Sequence, residues 1–161
     1  SVKANLKALA SAGAKNLLRN NAVSQTINGI EFTVGEDGSI TATGTATANA
    51  DLTISNFATA PGRRLVLSGC PEGGGASSYR IQVYQLASDY GEGAQFTTST
   101  RANVYIRISA GYSVDGLVFH PMLRDAAVTD PSYEPFAETN LSLTKLIEDL
   151  TDRVSALEER S

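Results

Sequence analysis

Asn103-Val104-Tyr105-Ile106-Arg107-Ile108-Ser109 is the stretch that decides the fold. Val104, Ile106 and Ile108 alternate with Tyr105 and Arg107, the two-residue period of a strand that buries one face and turns the other outward. Branched residues at the inward positions suit a pleated surface, because their stiff side chains lose little freedom there. The same texture recurs on both sides of this run. Towards the C-terminus, Leu117 to Leu123 (LVFHPML) reads as a strand in which Pro121, lacking an N–H, requires an edge position or a bulge. Towards the N-terminus, Tyr79 to Leu86 sets Ile81 and Val83 against Arg80, Gln82 and Tyr84.

Further back, Ile30, Phe32 and Val34 alternate with Glu31 and Thr33 before a Glu36-Asp37-Gly38 turn. Ser39 to Thr47, Asp51 to Phe57 (Leu52 and Ile54 inward), Arg64 to Cys70 and Gln95 to Thr98 come next as short strands. Pro71 to Ser78 (PEGGGASS) reads as a mobile loop, and Tyr90-Gly91-Glu92-Gly93 as a turn. About eight strands result, with no helical pattern between them. Each has one apolar face to bury, so the expected fold class is all-β: an antiparallel jelly-roll β-sandwich, with an immunoglobulin-like sandwich as the alternative.

The two ends read differently. Val2, Leu6 and Leu9 are spaced by 4 and 3, with Gly13 after them, which predicts a short helix or stalk end over residues 1–18. Whether it continues a stalk or packs on the domain stays open. The sandwich is expected over 19–136. Its last part, 124–139, is an extended strap kept out of helix by two X-Pro steps until Thr139 or Asn140 caps the C-terminal helix. Residues 137–161 are expected to form a coiled-coil helix. Leu143, Ile147, Leu150, Val154 and Leu157 are spaced by 4, 3, 4 and 3, an a/d seam with Ile147 and Val154 at a. Glu148, Asp149, Asp152, Ser155 and Glu159 form its polar back. So short a helix is marginal alone and needs partner chains. Branched residues at a with Leu at d lean towards two strands, but Arg153-Val154-Ser155-Ala156-Leu157-Glu158 resembles the trimerisation signature in which an Arg reaches a Glu of the neighbouring chain. A homotrimer through Leu143, Ile147, Leu150, Arg153, Val154, Leu157 and Glu158 is the expectation.

Composition narrows the function. At 42% hydrophobic and 19% charged the chain is globular, and its net charge of −4 argues against nucleic acid or an anionic membrane as partner. No apolar run is long enough to span a membrane, and no signal peptide is evident. The single cysteine, Cys70, excludes an internal disulfide and reads as a small buried apolar residue. The single histidine, His120, sits between Phe119 and Pro121 without a nucleophile elbow nearby, so no catalytic triad is expected. Gly73-Gly74-Gly75 lacks the Lys-Ser/Thr of a phosphate loop, and no D-x-D run supports a loop calcium site. No catalytic residue, metal site or cofactor is expected. The one constellation suited to a ligand is the outward face of two strands, Arg80, Gln82 and Tyr84 on one and Tyr105 and Arg107 on the other. Directional donors beside flat rings with polar tips suit sugars; the alternatives are a solvated sheet face, or one buried against neighbouring copies, where Tyr and Arg are also enriched.

Several segments, taken in order, resemble a known family. They are Lys15-Asn16-Leu17-Leu18, Leu67-Ser68-Gly69-Cys70-Pro71 with its glycines and serines, and Asp89-Tyr90-Gly91-Glu92-Gly93 before Phe96-Thr97. The series ends with Val118-Phe119-His120-Pro121-Met122-Leu123-Arg124, running to Tyr133-Glu134-Pro135-Phe136. Residues 15–136 resemble the β-sandwich modules, carbohydrate-binding-module-like in fold, of tail-fibre and baseplate proteins of phages and prophages of gut bacteria. The resemblance implies a non-enzymatic structural or adhesive part of a trimeric tail appendage in the virion, with host cell-surface carbohydrate as a partner. The alternative is a carbohydrate-binding accessory or hydrolytic domain of a bacterial surface protein.

Overall fold

The computed structural model describes residues 15–136 and 138–159, with side chains described up to 136 and from 146. The helix expected before Gly13 lies outside the described residues. The chain divides into two units: Asn16–Phe136, and a second that holds the C-terminal helix. The first unit therefore begins at 16 rather than at 19. Leu17 N–H donates to the Leu123 carbonyl (2.7 Å), and Leu18 is fully buried, so both belong to the β domain.

That domain is mostly strand, in eleven pieces rather than eight. One four-stranded sheet runs β1 (Gln25–Ile27), β2 (Ile30–Val34), β3 (Ile40–Thr45) and β10 (Ser113–Phe119), in that order. A three-stranded sheet runs β11 (Met122–Asp125), β5 (Arg64–Ser68) and β8 (Ala94–Thr97). The third runs β4 (Ala50–Ala58), β9 (Arg101–Ile108), β6 (Tyr79–Val83) and β7 (Ala87–Asp89). Every pairing is antiparallel. The single strand expected over 117–123 is two. The chain breaks at His120-Pro121, leaving β10 on the edge of one sheet and β11 on the edge of another, where a residue without an N–H interrupts no ladder.

Alternation builds the core as the sequence implies. Ile30, Phe32, Ile40 and Ala42 come from the first sheet, Leu65, Leu67, Phe96 and Leu123 from the second, and Leu52, Ile54, Ile81, Val83, Val104, Ile106 and Ile108 from the third; all join one buried cluster. Each fully buried aliphatic or aromatic side chain contributes about 1.5–3 kcal/mol relative to exposure. Tyr79 closes one end, edge-on to Phe119 with ring centroids 6.0 Å apart. In β4 the register shifts between Thr53 and Ser55, so Ile54 and Ser55 are both buried, the local signature of a β-bulge.

The strap after β11 carries no helix or strand as far as Phe136. It is tied down by the Tyr133 hydroxyl, which donates to the Asp37 carbonyl (2.6 Å), and by Asn16 Nδ2, which donates to the Glu134 carbonyl (2.7 Å). The helix α1 then runs Glu138–Glu158, so Thr139 and Asn140, expected as caps, fall within its first turn.

Candidate functional site

The strands bring the sequence-selected face together. Arg80 lies directly opposite Arg107, and Gln82 opposite Tyr105, across β6 and β9. Two guanidiniums facing each other repel unless each has its own acceptor. Both do. Arg107 Nε and Nη2 grip the Asp51 carboxylate of β4 at 2.7 and 2.8 Å, and this hydrogen-bonded pair raises the Arg107 pKa above its ordinary value. Arg80 Nε donates to Gln82 Oε1 (2.6 Å) and Nη1 to the Ala76 carbonyl (3.2 Å).

Tyr105 points outward as alternation requires, yet only 8% of it is exposed. Thr53 and Gln82 flank it across the two neighbouring strands, and the Arg107 guanidinium lies over its ring at 5.6 Å. Of the two tyrosines selected from sequence, only Tyr84 is open, 55% exposed just beyond β6. Arg80, Gln82 and Arg107 are thus engaged by acceptors or donors of the domain itself and Tyr105 is covered, which leaves Tyr84 as the open ring of the five.

The seam residues of α1 divide. Leu150 and Leu157 are exposed, Ile147 and Val154 are half-buried, and Arg153 and Glu158 are exposed; the Leu143 side chain lies outside the described residues. Thr151 is buried and donates its hydroxyl to the Ile147 carbonyl (2.8 Å). The open side of the helix is therefore the Leu150/Leu157 side, extended by exposed Leu146.

Sequence reasoning passed over a cleft of about 630 Å³ lined by Glu72, Gly73, Gly74, Ser88, Tyr90, Gly91, Glu92 and Gly93. It begins where the outward row Thr53–Tyr105–Gln82–Ser88 ends, since Ser88 is the cross-strand partner of Gln82. The loop expected to be mobile and the 90–93 turn form its walls, and hydrogen bonds tie each of them to the other or to the strands. The buried carboxyl of Asp89 accepts the N–H groups of Gly91 and Gly93 on Oδ1 (2.8 Å each) and that of Cys70 on Oδ2 (3.0 Å). Gly74 N–H donates to the Tyr90 carbonyl (2.9 Å), Gly75 N–H to the Tyr79 carbonyl (3.0 Å), and the Tyr79 hydroxyl to the Glu72 carbonyl. The two loops touch so closely that a Cβ on Gly91 would lie 2.7 Å from Glu72 Cα, and one on Gly74 2.6 Å from the Tyr79 carbonyl. The cue in the sequence was a Glu beside glycines in each loop, Glu72-Gly73-Gly74-Gly75 and Tyr90-Gly91-Glu92-Gly93.

Elsewhere, the His120 ring packs against Tyr133 with centroids 5.1 Å apart. Among the described residues no three His, Cys, Asp or Glu side chains are placed to hold a metal ion, and no helix is long and apolar enough to cross a membrane. Comparison of the chain with family models, curated proteins and solved structures found no match.

Proposed function

We propose that this chain is a non-enzymatic structural and adhesive module of a phage tail appendage, held as a homotrimer by α1 and presenting its β domain to host-surface glycan. The observation that carries the proposal is the helix. A 21-residue helix with Leu150 and Leu157 exposed at seam spacing has apolar surface that a single chain leaves in water. Three copies bring those leucines together, and Arg153, exposed beside the seam, reaches Glu158 of the next copy. In the same reading the β domain is a jelly roll in which β10 and β11 are one strand bent at Pro121. That bend links the four- and three-stranded sheets into one layer packed on the β4-β9-β6-β7 sheet.

Size exclusion with light scattering tests the assembly: three chains are expected, and removal of residues 141–161 should abolish association. Val154→Asn combined with Leu157→Asn should act like the truncation, because two seam positions would lose apolar burial. A stable dimer or a monomer overturns the trimer. The neighbouring genes test the tail assignment: tail-assembly genes support it, and a catalytic segment in the same chain overturns it.

A further inference from the structure

We infer that the cleft between residues 72–74 and 88–93 is a binding site for a neutral saccharide. Its ring stacks on Tyr90, and its hydroxyl groups donate to the carboxyl groups of Glu72 and Glu92. Tyr90, 40% exposed on the wall, offers a flat face matched to the C–H face of a pyranose. Glu72 and Glu92 add acceptors for hydroxyl groups, and Ser88 adds a hydroxyl able to donate or accept. The glycines of both walls let the two loops meet closely, so part of the lining beside Tyr90 and the two Glu is backbone. The volume lies within the range of small-molecule sites, and the cleft is open and polar, as a hydroxyl-rich ligand requires.

The sign of the charge sets the class. No Lys or Arg lines the cleft and two Glu do, so sialylated, uronic-acid and phosphorylated sugars are repelled. A divalent cation is disfavoured by the lack of a third carboxylate or imidazole among the described residues. The walls need little ordering on binding, because Asp89 and the Tyr90–Gly74 hydrogen bond already hold them. A small, shallow site of this kind binds weakly alone, and several copies side by side would raise its avidity.

This inference rests on the adhesive reading for the source of the sugar, but not on the trimer. The test applies the full chain to a glycan array carrying neutral hexose- and N-acetylhexosamine-terminated oligosaccharides beside sialylated and uronic-acid ones, with light scattering on the same sample. Signal confined to neutral glycans and unchanged by EDTA is expected. Tyr90→Ala and Glu92→Gln should each lower it at least tenfold with the melting temperature kept, Tyr90→Phe should retain it, and Arg107→Ala should leave it unchanged. Should Tyr90→Ala fail to fold, Glu72→Gln and Glu92→Gln, both on exposed side chains, carry the test. A blank array from chain that melts cooperatively overturns the site, as does binding to anionic glycans, loss with EDTA, or signal that survives the cleft substitutions. Neutral-glycan binding by a monomer would remove the trimer and leave the site standing.

Discussion

Arg107 and Asp51 form a two-point ion pair across β9 and β4, with Nε–Oδ1 at 2.7 Å and Nη2–Oδ2 at 2.8 Å. The pair explains why two arginines can stand opposite each other in β6 and β9, and it withdraws Arg107 from ligand chemistry. The side chains are 25% and 40% exposed, so solvent screens the attraction and a double-mutant cycle on Asp51→Ala and Arg107→Ala should give a coupling of about 0.5–1 kcal/mol. Arg107→Ala should cost more than Asp51→Ala, because it also uncovers the Tyr105 ring. Urea unfolding of the four proteins measures both. A coupling near zero would mean that the geometry is incidental.

Much of the β domain was legible because its burial follows alternation. Val104, Ile106 and Ile108 point inward, as do Ile30, Phe32, Leu52, Ile54, Ile81 and Val83, and the Glu36-Asp37-Gly38 turn falls where its residues place it. The features that escaped have specific physical causes. β7 is three residues long, and its one fully buried residue is an aspartate, which reads as a turn until the N–H groups that satisfy it are known. Ser55 is buried only because a bulge shifts the register of β4. Tyr105 is outward yet covered, since period-two reasoning assigns a face but not what neighbouring strands lay over it. The ligand face follows from alternation and residue type, which do not tell which of its side chains pair with one another or with Asp51. The cleft depends on two loops meeting across nineteen residues of chain, as in the Cys70–Asp89 hydrogen bond, and no local pattern encodes that meeting.

Asp89 is the organiser of those loops, and its removal should be severe. Asp89→Ala leaves three backbone N–H groups around a buried site without their acceptor, at about 1–3 kcal/mol each. The expected loss is roughly 3–5 kcal/mol. Asp89→Asn should lose less, since an amide oxygen can still accept from Gly91 and Gly93 while its NH₂ faces the Cys70 N–H. Denaturant unfolding should rank the proteins wild type, Asn, Ala in falling stability. Equal loss in both variants would show that charge, rather than acceptor count, holds the loops.

The alkaline side of the stability profile should carry the mark of Cys70. The thiol is 7% exposed and beside Asp89; burial first, then the Asp89 charge, pushes it up to about 12 from an ordinary 9.0. A folded-state value above the unfolded one stabilises fully below about pH 9. That stability drains away as pH rises from 9 towards 12, because the unfolded chain releases a proton that the folded one retains. Between pH 8 and 10.5 the single thiol should account for roughly 1–2 kcal/mol of lost stability. Tyr79 and Tyr133, both raised above 10.0 chiefly by burial, shift in the same direction at higher pH, so the thiol has to be isolated by substitution. Cys70→Ala should therefore flatten the fall in unfolding free energy over that interval. Native protein should resist iodoacetamide at pH 8.5 and react fully once unfolded in guanidinium, since a protonated, buried thiol is a poor nucleophile. Rapid alkylation of the folded protein at that pH, with an unchanged alkaline slope in Cys70→Ala, would mean that the Cys70 end of β5 opens to solvent.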